Sequence, residues 1–245
     1  MRSLEPSNER THAPACTYAA RLLQKRDAMI ENHAQMGGFR TITVGDAKAP
    51  LVVVMLHGRM MEGADLAPFA RSLGTQAYFV FPDAPLRTGA HGFAWWPVES
   101  ETRLRGRGVR DLYELDPPGR REARERLAGL LGLFGGRRIV LAGFSQGGML
   151  AMDYVLHGGR VDALALLSSS RIAYADWKPQ LPRLRALPML VAHGRADPEL
   201  AFAAGEALRD AAFAGGAQLT WLPFEGAHEI PLVVWRALRK FLAAV

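Results

Sequence analysis

The chain is predicted to fold as an α/β domain with a mostly parallel central sheet and helices on both faces. Three observations predict this. From residue 39 onward, strand-length apolar runs alternate with longer stretches of helical period, the pattern of a sheet built from crossover connections. Several of the runs, such as 51–56, are continuously apolar, as strands covered on both faces must be. Polar, chemically capable residues recur just after the runs, at the end where open parallel sheets hold their ligands.

The 245 residues are enough for one large domain with a sizeable core. Residues 1–35 read as an N-terminal tail with a short helix, and 36–245 as a single domain without repeats or linkers. In the first part, residues up to about 14 are polar and contain proline. Residues 18–30 place Ala19, Leu22, Leu23, Met29 and Ile30 at near-helical spacing.

Within the domain, 39–44 alternates and reads as an edge strand, and 51–56 as a buried one. Residues 65–73 form a short helix with Asp65 near its start. A second buried strand covers 77–81. Residues 119–134 make a helix with Ala123, Leu127, Leu130, Leu131 and Phe134 on one face. Strands are expected at 138–142, 163–167, 189–192 and 218–224, with helices at 198–214 and 232–242. Residues 176–188 are punctuated by proline and read as irregular.

Apolar residues make up 49% of the chain, near the globular average. No apolar run reaches the ~20 residues that span a membrane, and no secretory signal is visible. Cys16 is the one cysteine, which excludes an intrachain disulfide and a cysteine zinc site and suits a cytoplasmic location. The net charge of +6 is carried mainly by arginine. Arg103, Arg105, Arg107 and Arg110 form one cluster and Arg120, Arg121, Arg124 and Arg126 a second. Glu122 and Glu125 interleave with the second, which marks a solvated helix face. The first has glycines and no stacking aromatics around it, so nucleic acid is not expected as a partner.

The chemistry concentrates in Gly143-Phe144-Ser145-Gln146-Gly147-Gly148, which lies between a predicted strand and a predicted helix. Gly-x-Ser-x-Gly in that setting is a nucleophile elbow. A serine hydroxyl needs a base to become nucleophilic. Other strand ends supply partners: His57-Gly58-Arg59 after 51–56, His193-Gly194-Arg195-Ala196-Asp197 after 189–192, and Glu225-Gly226-Ala227-His228-Glu229 after 218–224. The order serine, acid, histidine is that of the α/β-hydrolase fold. Ser145 is then the nucleophile, His228 the general base and Asp197 the residue that orients it. The other reading of Asp197, followed by Pro198, is a helix cap. The oxyanion of the tetrahedral intermediate needs two backbone donors, assigned to Gln146, at the start of its helix, and Arg59. His57, His91, His193 and His228 show no paired metal-ligand spacing, so no catalytic metal is expected.

These residues carry a resemblance. The chain resembles the carboxylesterase, lysophospholipase and acyl-protein thioesterase family of small α/β hydrolases. The matching segments are Leu56-His57-Gly58-Arg59, Phe81-Pro82-Asp83-Ala84-Pro85, Trp95-Trp96-Pro97, the elbow, His193-Gly194-Arg195-Ala196-Asp197-Pro198 and Gly226-Ala227-His228-Glu229-Ile230. The resemblance implies cofactor-free hydrolysis of short- to medium-chain carboxylic esters or thioesters, with the same triad and oxyanion amides. It also places Trp95 and Trp96 at the substrate pocket. The family's usual glycine after the oxyanion residue is Met60 here, followed by Met61, so Met60 is expected to line the pocket. Residues 99–118 stand where many relatives carry a loop over the site. A hydrolase-fold binding protein with little catalysis is the alternative, and such proteins usually lack a triad member. The expected partner is a small ester or thioester, with a homodimer as the commonest form of assembly.

Overall fold

The computed structural model describes residues 31–98 and 111–245. The expected helix at 18–30, Cys16 and the first arginine cluster lie outside the described residues.

The chain enters the sheet through β1 (Glu31–Met36) and β2 (Phe39–Val44). Then come β3 (Leu51–Leu56), α1 (Gly63–Leu73), β4 (Tyr78–Pro82) and two short pieces, β5 (Leu86–Arg87) and β6 (Phe93–Ala94), which pair with each other. α2 (Arg120–Gly132) leads to β7 (Arg138–Phe144), α3 (Gln146–Leu156) and β8 (Ala163–Leu167). A single turn α4 (Tyr174–Trp177) runs into a 3₁₀ segment (Lys178–Leu184). β9 (Pro188–Gly194), α5 (Phe202–Ala214), β10 (Gln218–Phe224) and α6 (Leu232–Ala244) complete the order.

Eight strands form one sheet in the order β1-β2-β4-β3-β7-β8-β9-β10. β2 runs antiparallel to both its neighbours, and from β4 to β10 every pair is parallel. The mostly parallel sheet with helices around it is therefore as expected. Period-two alternation sends one set of side chains to each face. Val52, Val54 and Leu56 of β3, with Leu141 and Leu164, meet Leu127, Leu130 and Leu131 of α2 and Leu150 of α3. Leu51, Val53 and Met55, with Val140 and Leu190, meet Leu66 and Leu73 of α1 and Trp235 and Leu238 of α6. Each fully buried leucine contributes about 1.5–3 kcal/mol relative to exposure, so the two layers hold the sheet rigid under the loops at its carboxyl end.

Several expectations change. β2 is not the edge, because β1 covers it. β1 has no fully buried residue, and so lacked the apolar alternation that marks a strand. It begins at Glu31, so the sheet takes in the end of the 1–35 stretch. α5 starts at Phe202 rather than 198, because one oxygen of Asp197 captures the Glu199 and Leu200 amides at 2.8 Å each and folds this stretch into a turn. The irregular stretch 176–188 holds the end of α4 and the 3₁₀ segment, a helix type that tolerates Pro179 and Pro182 in its tight turns. The second arginine cluster is only partly a solvated face: Arg120 and Arg124 turn inward to the buried Asp153.

Candidate active site

β7 ends at Phe144 and α3 begins at Gln146, leaving Ser145 alone at the turn with φ 52° and ψ −117°. For a residue with a Cβ this backbone costs about 1–3 kcal/mol, and it lifts the side chain out of the strand line. The glycines around it are required by close approach. A Cβ on Gly143 would fall on the Gly147 carbonyl, and one on Gly147 would stand 2.7 Å from the His57 carbonyl oxygen and closer still to that of Leu56. The Ser145 amide donates to the Leu167 carbonyl of β8 at 2.9 Å, which fixes the apex against the next strand.

Asp197, three residues past β9, and His228, four past β10, converge on this serine. His228 Nε2 lies 2.9 Å from Ser145 Oγ, and its Nδ1–H donates to Asp197 Oδ2 at 2.7 Å. The Asp197 side chain is fully buried. Burial opposes its ionisation, yet the hydrogen bonds from His228 and from the Leu200 and Glu199 amides outweigh that and hold the carboxyl below the usual carboxylate range. The hydrogen-bonded chain from hydroxyl through imidazole to carboxylate is the arrangement that activates a serine.

The loop after β3 is built around His57. Its Nε2 accepts the Ala84 amide at 2.9 Å, so its proton sits on Nδ1 and donates to the Gly58 carbonyl at 2.7 Å. The His57 carbonyl accepts the Trp95 indole N–H at 2.9 Å. Met60 N donates to the Phe93 carbonyl, and Phe93 N to that of Met61, both at 2.9 Å. Met60 has φ 66°, the left-handed conformation that glycine adopts without cost. The backbone thus takes a conformation that favours glycine although the residue is methionine.

A cavity of about 280 Å³ opens over Ser145 and His228. Trp96, Val98, Leu112, Leu115, Met149 and Leu200 give it apolar walls, and Arg59, Met60, Gln146 and Glu199 complete the lining. Of the expected substrate residues, Met60 and Trp96 face this cavity. Trp95 does not: its ring packs against Phe39 and His57 in the core, because its indole N–H is drawn to the His57 carbonyl. Leu112 and Leu115 belong to the expected loop over the site, and residues 99–110 of that loop lie outside the described ones. Arg59 and Gln146 flank Ser145 in the cavity wall.

Sequence reading missed the side chain of Gln146. It is almost fully buried, its Oε1 accepts the Trp95 amide at 2.9 Å, and its Nε2 donates to the Trp96 carbonyl at 3.2 Å. The residue beside Ser145 therefore clamps the tryptophan loop that in turn holds the loop of Arg59. The available signal was a long amide side chain at the first turn of a mostly apolar helix.

The buried histidines set a pH dependence of stability. Burial lowers the affinity of His57 and of His193 for a proton. The unfolded chain takes up these protons near pH 6.5, and the folded chain only at lower pH. Stability therefore falls as pH drops from about 7 toward 5, by up to about 1.4 kcal/mol per pH unit for each histidine. The lowered Asp197 acts in the same direction but below its unfolded value of about 3.9. Urea unfolding between pH 5 and 8 checks this, and a flat profile defeats it.

Among the described residues, Asp153, His157 and Asp176 lie close enough together to suggest a cation site. Both oxygens of Asp153 are taken by Arg120 and Arg124, whose charges repel a metal ion, and the group does not fit one. No helix among the described residues is long and apolar enough to cross a membrane.

Comparison with known proteins bears on the fold. Residues 128–245 match the family described as Phospholipase/Carboxylesterase, a stretch that contains Ser145, Asp197 and His228. No curated protein matches in sequence. Among solved structures, Zea mays acyl-protein thioesterase 2 superposes with a TM-score of 0.70 at 22% identity, over 84% of this chain and 98% of that one. A carboxylesterase from Mesorhizobium loti gives 0.68 at 18%, over 88% and 99%. Esterase PE8 gives 0.67 at 22%, over 89% and 98%. At these identities the likeness establishes the fold.

Proposed function

We propose that this chain, an α/β hydrolase whose C-terminal half carries the phospholipase/carboxylesterase match, is a serine hydrolase cleaving short- to medium-chain carboxylic esters or thioesters through an acyl-enzyme. One observation carries the reading: the continuous hydrogen-bonded chain Ser145–His228–Asp197 opens into a cavity with apolar walls.

In this reading Ser145 Oγ attacks the carbonyl carbon while His228 Nε2 takes its proton. Asp197 stabilises the imidazolium that forms. The oxyanion is met by the backbone amides of Arg59 and Gln146, the second at a helix N-terminus whose first amides have no partner within the helix. His228 then protonates the departing alcohol or thiol. A water molecule, deprotonated by the same imidazole, hydrolyses the acyl-serine and releases the acid. Trp96, Leu112, Leu115 and Met149 provide apolar surface for an acyl chain. The likeness to an acyl-protein thioesterase and to carboxylesterases supports including both leaving groups.

An acyl-length series of p-nitrophenyl esters and matched thioesters tests the proposal. The rate is expected to rise from acetyl to butyryl and to fall at palmitoyl, because the cavity is bounded. Absence of turnover for every ester and thioester, with Ser145 left unmodified by a fluorophosphonate, would sink it.

A further inference from the structure

Immediately beneath the site, the strand ends bring in buried polar residues for which the reaction has no direct use. Ser168 follows the last residue of β8 and is fully buried. Its φ is 43°, a left-handed conformation that costs a residue with a Cβ about 1–2 kcal/mol. Its amide donates to the Ala192 carbonyl of β9 at 2.8 Å, and its hydroxyl to the carbonyl of Glu229 at 3.2 Å. Glu229 is the residue after His228.

The segment between β10 and α6 is tied to its surroundings at His228, through Asp197 and Ser145, and by Ile230, which packs on the apolar cluster of Phe144 and Leu167. The Glu229 carboxylate folds back onto the Ala227 amide at 3.1 Å, and the Glu229 amide donates to the Ala227 carbonyl at 3.1 Å. Ala196 N anchors the start of the segment at the Gly226 carbonyl. Past His228, the Ser168 hydroxyl reaches it from across the sheet. A strained residue persists only when its surroundings over-determine it, and here the Ala192 carbonyl holds the amide while the hydroxyl meets the Glu229 carbonyl.

We propose that Ser168 is the positioning residue for His228: its hydroxyl fixes the Glu229 carbonyl, and with it the height at which Nε2 meets Ser145 Oγ. This rests on His228 being the general base. The neighbouring contacts follow the same plan. Ser169 Oγ donates to the carbonyl of Ser145 itself at 3.0 Å, and His193 Nε2 lies 3.2 Å from the carbonyl of Leu200, whose amide holds Asp197. Each member of the Ser–His–Asp chain thus has a buried support from β9 or from the residues just after β8.

The test compares Ser168→Gly with Ser168→Ala. Both delete the hydroxyl, and glycine also removes the backbone strain. The expected result is a kcat about tenfold lower in both, equivalent to about 1.4 kcal/mol in the barrier, with KM within twofold and the glycine variant the more stable of the two. A purely structural role predicts instead a wild-type kcat in Ser168→Gly, and that result would overturn the proposal. A second readout needs no substrate: the downfield proton resonance of the His228–Asp197 hydrogen bond, identified by its loss in His228→Asn. It should shift or broaden in Ser168→Gly, and an unchanged resonance also overturns the proposal. A wild type without turnover would defeat the hydrolase reading while the resonance still judged Ser168.

Discussion

Ser145→Ala is expected to lower kcat/KM for any ester substrate by at least about 10⁴-fold, while the protein remains folded. Alanine keeps the Cβ, so the turn at φ 52° is unchanged and its strain neither grows nor disappears. The substitution removes the 2.9 Å hydrogen bond to His228, worth about 0.5–1.5 kcal/mol of stability. Chemistry suffers far more, because without the hydroxyl no acyl-enzyme can form and only the slower direct attack by water remains. The residues should also behave as a unit. Ser145→Ala combined with His228→Gln should be scarcely slower than Ser145→Ala alone, the non-additivity that distinguishes one machine from three independent contributions. Steady-state kinetics on the purified variants, with fluorophosphonate labelling followed by mass, make the measurement. Turnover within tenfold of wild type in Ser145→Ala would remove this serine from the mechanism.

What could be read in the sequence was whatever depends on local pattern. The continuous apolar runs 51–56 and 163–167 marked buried strands because a parallel sheet leaves no polar face. Ser145, Asp197 and His228 stood out because a sheet of this topology collects its strand ends at one edge, so residues more than eighty positions apart are brought to 2.9 Å. Other features depend on partners the chain meets only after folding. β1 is polar and exposed, and it becomes a strand because β2 offers it a free edge. Trp95 and Trp96 are alike in sequence and both are buried in the core, yet only Trp96 also lines the cavity, while the Trp95 indole is held by a carbonyl on another loop. Gln146 was visible as a source of a backbone amide, whereas its side-chain clamp on residues 95 and 96 required knowing where that loop passes. Met60 was expected to line the pocket in place of a glycine, and only its φ of 66° shows that the position takes a left-handed backbone.

Asp153→Ala is expected to destabilise the protein by about 3–5 kcal/mol, the cost of breaking a buried ion-pair cluster by removing its central carboxylate. Asp153 lies on α3, the helix that begins at Gln146, and its side chain is completely buried. Oδ1 accepts from Arg120 at 2.6 Å and from the Trp177 indole at 2.7 Å, and Oδ2 accepts from Arg124 at 2.8 Å. One carboxylate thereby joins α2, α3 and α4. Arg120, whose side chain is 11% exposed, also reaches Asp116 and Asp176, but neither can replace the carboxylate at the centre. Deleting Asp153 leaves two guanidinium groups and an indole N–H facing a void. At about 2–4 °C per kcal/mol for a chain of this size, the melting temperature should fall by roughly 6–20 °C. Arg121→Ala is the control, since the Arg121–Glu125 pair on the outer face of α2 is mostly exposed and should matter by less than about 0.5 kcal/mol. Urea unfolding with unchanged m-values reads both variants. A destabilisation below about 1 kcal/mol in Asp153→Ala would mean that the arginines find water as readily as a carboxylate, and that this cluster is the solvated face its sequence suggested.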